Sequence, residues 1–453
     1  MKNYNDPSLP EEELLIQEDL VDENQREVFN ENAKQSYWAN VRKQFRKNKI
    51  AVWSLRVVYI IVFLAVFADF IANEKPIACG YQGNTYFPVF KEYAVDLGLS
   101  EWPVEFQNVS WKDLEYDWAF WPAVPYLPKN TDVLNSYVGP FDDQEVDSKK
   151  WRHWLGTDDL GHDVLASMIH GTRVALLVGI ISMMIATTIG ILFGAAAGYY
   201  GDTKLKMSMM QIILNVLGFI LALFYGFGTR SYVLADALAT SFGKFILELI
   251  ISIGITAAIM YVFNYIGKNF QPKFLSKKYP IPVDIMISRF IEIIVSIPSL
   301  FLIISITAIV AKPSLYIVMM IIGLTSWTGI ARFTRAELLR VRSLEYIEAA
   351  HALGYKEGRI IFKHALPNAL SPVLISIAFG IASAILTEST LSFLGIGVPA
   401  EDITWGKLLS AARGDASAWW LAVIPGFAIF ITVTVYNLIG EGLTDAMNPK
   451  LKK

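Results

Sequence analysis

The 453-residue chain is 54% hydrophobic with a mean hydropathy of +0.40, more apolar surface than a soluble core can bury. Its formal charge of −3 says little as a sum, because acidic and basic residues are segregated along the chain. The single cysteine, Cys79, excludes an intrachain disulfide, and no Cys/His cluster points to a metal.

The first 35 residues are acidic and poor in aromatics, the composition of a solvated cytoplasmic tail rather than of a cleavable signal peptide. Charge then reverses at Arg42, Lys43, Arg46, Lys47 and Lys49, and the positive-inside bias places residues 1–50 in the cytoplasm. An apolar run over 51–73, centred on Trp53 to Ile71, is long enough for a first span. Residues 74–170 are then outside. They are rich in Trp, broken by Pro, Gly and Asn, and predict a lid of short helices and irregular loops. Such a lid can dock a binding protein or simply form an aromatic belt with its neighbours.

The lid ends in Leu155-Gly156-Thr157-Asp158-Asp159-Leu160-Gly161-His162-Asp163. Asp158, Asp159, His162 and Asp163 include metal-ligand types, but Asp/Gly turns produce the same pattern through side-chain to backbone hydrogen bonds. A second core span follows within 171–201, read as Arg173 to Tyr199. It closes on Gly194-Ala195-Ala196-Ala197-Gly198, small residues that let helices approach closely in lipid. Two further apolar segments, Met207–Gly226 and Phe245–Ile266, lie within 202–282 and predict a pair of spans with lysines at their cytoplasmic ends.

Residues 283–453 hold the remaining spans. The third core span runs from Asp284 to Val310, with Arg289 and Glu292 three apart on one face and a kink at Pro298. Arg289, Glu292 and Pro298 are candidates for positioning a gate, and an intrahelical ion pair is the simplest account of the first two. The fourth span is Leu315 to Ile330, the fifth Ala369 to Phe393 and the sixth Trp419 to Leu438. Glu388 in the fifth is either pathway-lining or a buried, hydrogen-bonded structural group.

Between the fourth and fifth spans lies the basic stretch 332–367, which continues to Pro372 with Arg332, Arg335, Arg340, Arg342, Lys356, Arg359 and Lys363. A cytoplasmic helix is expected there, capped by Ser343, with Glu345 favouring the helix dipole and Gly354 ending it in a left-handed conformation. Glu348-Ala349-Ala350, Gly354 and Leu366-Pro367 stand at the spacing of the EAA loop of bacterial ABC importer permeases. With His364, the turn 155–165 and the terminus 440–449, the sequence resembles the oligopeptide/dipeptide permease family, C-subunit type. His162 stands where that family carries Arg.

The resemblance implies an all-α polytopic inner-membrane protein: six core spans, two inserted spans and an extracytoplasmic loop domain, with both termini cytoplasmic. It implies that Glu348, Ala349, Ala350, Gly354, His364, Leu366 and Pro367 couple to an ATPase, and that Gly156, Thr157, Asp158, Gly161 and Asp163 shape the approach to span two. The implied partners are a homologous second permease, two ABC ATPase subunits, an extracytoplasmic substrate-binding protein, the lipid bilayer and a peptide or similar small solute. No nucleic acid is expected. No Walker-type phosphate loop occurs, so the chain is expected to have no catalytic residue and no cofactor of its own, ATP and Mg being bound by partner chains. An ion-gradient-driven secondary transporter would instead need several midplane carboxylates and broken helices in related halves. An ABC-linked export or assembly scaffold would keep the ATPase contact without import.

Overall fold

The computed structural model describes residues 37–107, 109–309, 314–399 and 402–447. The acidic tail and the C-terminal lysines lie outside these residues. Among the described residues, seven helices are long and apolar enough to cross a membrane, and a bent helix pair brings the number to eight. This is the all-α polytopic architecture that the hydropathy requires.

Helix α1 (Tyr37–Lys47) leads into α2 (Lys49–Val66), which Asn48 caps by accepting from the Ala51 amide at 3.1 Å. A short α3 (Ala68–Ile71) reaches the lid. There the strands β1 (Ala78–Tyr81), β2 (Asn84–Tyr86) and β3 (Trp118–Phe120) form a three-stranded antiparallel sheet in the order β2-β1-β3, with α4 (Pro88–Asp96) following β2. The lid thus contains a sheet where only short helices and loops were expected. Gln82 and Gly83, both at positive φ, make the tight hairpin turn between β1 and β2. Strands of three and four residues are too short for alternation to show in sequence. Phe106 stacks on Trp111 at 5.0 Å, and Trp102 meets Trp111 edge-on at 5.4 Å, so the tryptophans build the lid's own core.

Helix α5 (Val164–Tyr200) is 37 residues, roughly 55 Å at the helical rise, and overreaches a hydrocarbon core of about 30 Å. It begins well before Arg173, because Asp163 caps it by accepting from the Ala166 amide at 2.7 Å. Arg173 thus lies inside the helix and not at its start. It reaches across to Asp69 at 2.7 Å and to the Ala65 carbonyl at 2.9 Å, tying α5 to the end of α2.

Residues 202–282 form a helical hairpin on a β-ribbon. Strand β4 (Lys206–Ser208) precedes α6 (Met209–Leu223), a π-helical turn (Phe224–Gly228), α7 (Ser231–Thr240) and α8 (Phe242–Asn269). Strand β5 (Lys278–Pro280) then returns to pair with β4, Met207 facing Tyr279. Ser208 and Gln211 cap α6 reciprocally.

The third core span is broken. Helix α9 (Val283–Ser296) and α10 (Ser299–Ile309) meet at 80°. Pro298 supplies no amide hydrogen and drives Ile297 into the extended region, φ −93° and ψ 124°. Helix α11 (Leu315–Val341) runs past Ile330, so the first part of the basic stretch continues the same helix. Beyond it come α12 (Glu345–Ala352), a helical approach over 357–369, α13 (Ser371–Phe393), α14 (Trp405–Ala411) and α15 (Trp419–Met447).

Helices α5 and α11 run parallel in close contact. A Cβ on Gly190 would lie 2.7 Å from Ile330, one on Gly194 2.5 Å from the Ala331 carbonyl oxygen, and one on Gly198 2.7 Å from that of Arg335. Three glycines four residues apart thus bring two backbones together where no hydrophobic force between helices exists. Ser182 adds a 2.8 Å hydrogen bond to the Met319 carbonyl. Helix α13 packs antiparallel on α5, with Gly179 against Ile381 and Ile385. One end of the bundle carries residues 342–370 (the loop end); the other carries 74–163 and α14 (the lid end).

Candidate functional site

At the loop end, the ends of α5, α9 and α11 are clamped together. Arg335 binds Asp284 with two hydrogen bonds, Nη2 to Oδ2 at 2.7 Å, and Arg342 donates to the Gly198 carbonyl at 3.2 Å. Helix α12 rests on this platform. Ile347 and Ala350 are buried against Tyr199, Leu338, Val341, Ile360 and Ile361. Glu348 and Ala349 face outward and are exposed. The two alanines therefore do not form one docking face: Ala350 is used by the chain's own packing, a consequence of the 100° step between adjacent helical residues.

The ends of α12 differ from each other. Ser343 does not cap it; its hydroxyl turns back to the Arg340 carbonyl at 2.8 Å, and Leu344 takes the cap position with no side-chain bond. Glu345 and Glu348 occupy the first turn, where a negative charge suits the helix dipole. At the other end Gly354 has φ +74°, and the Tyr355 and Gly354 amides bond the carbonyls of Ala350 and His351 at 3.2 and 2.9 Å. This is a Schellman closure, which requires the left-handed residue that glycine supplies.

After the turn, a π-helical stretch over Ile360–Ala365 precedes Pro367. The wider turn leads into a proline that can donate no backbone bond. His364 stacks on Tyr355 at 6.1 Å, while Leu366 is half-buried and Pro367 exposed. Glu357 is a group that sequence reasoning missed. It accepts from the Tyr199 hydroxyl and faces Lys204 at 4.0 Å and His351 at 3.6 Å, linking the segment after α12 to the end of α5. Nothing in its local sequence distinguishes it from a solvated glutamate.

At the lid end, the turn before α5 is dense in hydrogen bonds. Asp158 accepts from the amides of Leu160 (3.0 Å) and His162 (2.9 Å) and from the His162 ring at 2.8 Å. Gly156 and Gly161 have φ +79° and +77°, and a Cβ on Gly161 would strike the Asp132 carbonyl oxygen at 1.9 Å. The Thr157 hydroxyl donates to the Asn135 carbonyl and accepts from the Val138 amide at 3.0 Å, while its own carbonyl accepts from Trp420 at 3.0 Å. Asp163, besides capping α5, meets the fully buried His153 ring at 2.8 Å, whose other nitrogen lies 3.3 Å from Asp132. His153 and Asp132 were not singled out in sequence, since their pairing joins residues far apart in the chain. Asp158 thus pairs with His162, while His153 bridges Asp163 and Asp132, and among the described residues no group of three or more His, Cys, Asp or Glu is disposed to hold a metal.

Residues 274–453 match the family "binding-protein-dependent transport system inner membrane component", and residues 36–87 the N-terminal transmembrane domain of oligopeptide transport permease C. The chain is 30% identical over 418 residues to the dipeptide transport system permease protein DppC of Alkalihalophilus pseudofirmus, covering 92% of this chain and 91% of that protein. The chain belongs to the ABC importer permeases of the peptide branch. It is also similar to the inner membrane ABC transporter permease protein YejE of Escherichia coli, at 28% identity over 92% of this chain and 96% of that one. A third relative, the oligopeptide transport system permease protein OppC of Bacillus subtilis, is 24% identical over 92% and 91% of the two chains.

Within this permease, Glu388 lies near the lid end of α13. It is 1% exposed, and its carboxylate accepts from Ser392 at 2.5 Å and from Ser389 at 3.4 Å, with Thr404 as a further partner. In this conformation its polar needs are met inside the chain, which is what a carboxylate in an apolar helix requires. Arg289 and Glu292 pair at 2.6 Å on an exposed face of α9, and Pro298 sits at the 80° bend. The structure does not bring these three together with Glu388.

Proposed function

We propose that this permease forms half of the translocation pathway of an ATP-driven peptide importer, and that α12 with its Gly354 turn is the joint to an ATPase subunit. The observation that carries the reading is the two-sidedness of α12. Its inner face packs on the ends of α5 and α11 and on the segment leading into α13, while Glu348 and Ala349 stand free on its outer face. A partner that moves this helix displaces three spans together, because close-packed contacts transmit strain. Pro298, at the sharp break between α9 and α10, is the natural hinge of the gate, with Arg289 and Glu292 holding its approach helix.

The loop end is the cytoplasmic end in this reading. Arg42, Arg46, Lys204, Lys268, Lys273, Arg340, Arg342 and Lys363 crowd there, as the positive-inside bias demands. The chain supplies no Walker-type loop, so ATP is hydrolysed by separate chains. The pathway is completed by a homologous second permease and fed by a substrate-binding protein docked at the lid end. The peptide substrate is supported by two of the relatives, one a dipeptide and one an oligopeptide transport permease.

Co-purification of the solubilised chain with its partners tests the joint. Glu348→Arg reverses the exposed charge, and Gly354→Val forces a β-branched residue into a left-handed conformation at a cost of about 1–2 kcal/mol or more. Recovery of ATPase subunits is expected to fall about tenfold in both variants, with the second permease retained. Full recovery together with unchanged ATP-dependent uptake would remove the joint from α12. Uptake that ran on an ion gradient without ATP would replace the whole reading.

A further inference from the structure

Helix α4 of the lid carries its polarity the wrong way round for a helix bathed in water. At 100° per residue, Phe87, Phe90, Tyr93 and Leu97 fall within about 120° of one another, the first and last being its cap residues. This stripe faces outward, from 40% exposed at Tyr93 to 73% at Leu97. The charged side chains at 91 and 92 are engaged by the lid instead. Glu92 accepts from Lys75, which is itself buried with its ammonium 5.4 Å from the Trp102 ring, and Lys91 donates to Ser100. Asp96 is the one fully exposed charge of the helix. A single exposed apolar residue needs no account, but an ordered apolar stripe on a helix whose other charges are satisfied from within does.

The stripe does not end with α4. Phe90 meets Phe70 edge-on at 5.1 Å, Phe70 lies 6.2 Å from Phe67, and Phe67 lies 4.7 Å from Phe63. Phe63 and Phe67 belong to the exposed side of α2 and its cap, together with Tyr59, Ile60 and Val66. A row of rings thus runs without a gap from the last turns of a membrane-spanning helix onto the lid. Beside it the Tyr93 hydroxyl donates to Asp69, which holds Arg173 at 2.7 Å. Rings ending in such polar tips mark the headgroup level of a bilayer. We propose that α4 is an interfacial helix, its stripe lying at the boundary of headgroups and acyl chains in the leaflet at the lid end and holding the lid down beside α2. Lipid suits this face better than a protein does. Tyr93, Lys91 and Glu92 make their bonds inside the chain, so the stripe offers apolar surface without the directional partners of a protein interface. With those charges turned inward, the helix needs no anionic lipid.

Spin labels on Phe87→Cys and Leu97→Cys, in the full chain in phosphatidylcholine nanodiscs, test the placement. Collisions with oxygen, which concentrates in lipid, are compared with those of a nickel chelate, which stays in water. The wild-type chain, whose single cysteine is buried, is the blank. At both positions the oxygen-to-nickel ratio is expected to exceed that at Glu115→Cys, an exposed charged position of the lid, by about tenfold. Added anionic lipid is expected to leave the ratio unchanged. Phe90→Asp is expected to lower the ratio at Leu97→Cys about threefold by placing a charge in the stripe. Cys79 should stay unreactive to maleimide in that variant, showing that the lid keeps its fold. Ratios no higher than at Glu115→Cys would overturn the proposal. So would a ratio that rises only when other subunits are co-purified, which would give the face to a protein partner, or only with anionic lipid, which would make charge the anchor.

Discussion

The pair α5 and α11 and the hairpin α6–α8 are both built of apolar, glycine-containing helices, yet they are held by different means. Half of the most apolar window of α11 is buried within the chain, against 11% of that of α8. Along α5 the glycines at 190, 194 and 198 each meet backbone or a Cβ of α11. In the hairpin, Gly218 and Gly267 bring α6 and α8 together, Gly226 of the π-helical turn meets Thr256 and Ser252 of α8, and a Cβ on Gly254 would meet nothing within 4 Å. Arg230 adds bonds to Glu248 and Ser252 at the far end of the hairpin, while β4 and β5 close its base. The hairpin is held largely by its own contacts and its ribbon, with Leu238 of α7 touching the core, whereas α5 and α11 are an axis on which other spans and α12 pack. Apolar composition says that a helix enters the membrane; glycine placement against a partner backbone says what it is for.

The largest effect is expected from Gly194→Leu. With 2.5 Å available to a Cβ, the helices must separate, at about 3 kcal/mol or more. Gly254→Leu, in an equally apolar helix, is expected to change stability by less than about 0.5 kcal/mol. Thermal unfolding of the two variants side by side checks the contrast, and equal losses would dissolve it.

A second, smaller effect concerns the hairpin as a whole. Ser208 faces Lys278 across the ribbon, so residues 209–277 can be replaced by an Asn-Gly turn without breaking the β4–β5 register. The shortened protein is expected to melt within about 4 °C of the parent and to retain ATP-dependent uptake. A chain that no longer folds would show that the hairpin supports the core after all.

The most local prediction uses Cys79, buried in β1 with its thiol pushed up to about 11 by burial. A raised thiol pKa means less thiolate at a given pH, so at pH 8 maleimide should label Cys79 about 100-fold more slowly in the folded chain than in denaturant. Because the lid is tied to the cap of α5 through Asp163 and His153, Gly194→Leu should accelerate labelling, and removal of the hairpin should not. Equal rates in all three proteins would separate the lid's stability from that of the axis.

Much of the structural outline at the loop end was legible in the sequence. The glycine at 354 and the acidic residues at 345 and 348 define a short helix with a sharp exit from local rules alone, and the break at Pro298 follows from the chemistry of one imino acid. The lid's sheet was not legible, since strands so short carry no periodic signal. Ser343 also misled: a serine before a helix is a cap only if its backbone sits in the cap position, and here α11 runs on to Val341 and brings the Arg340 carbonyl within reach instead.

The amino-acid sequence by itself determined the class of the molecule, the number of apolar runs and the short helix that ends at Gly354. These follow from hydropathy over windows of one span and from backbone rules that act within a few residues. The tertiary structure decided which of two adjacent alanines faces outward, that Arg335 serves Asp284, that Glu357 meets Tyr199, and that Glu388 is satisfied by hydroxyls from α13 and Thr404. Each of these depends on which groups distant in sequence are brought within about 3 Å, the range over which a hydrogen bond acts.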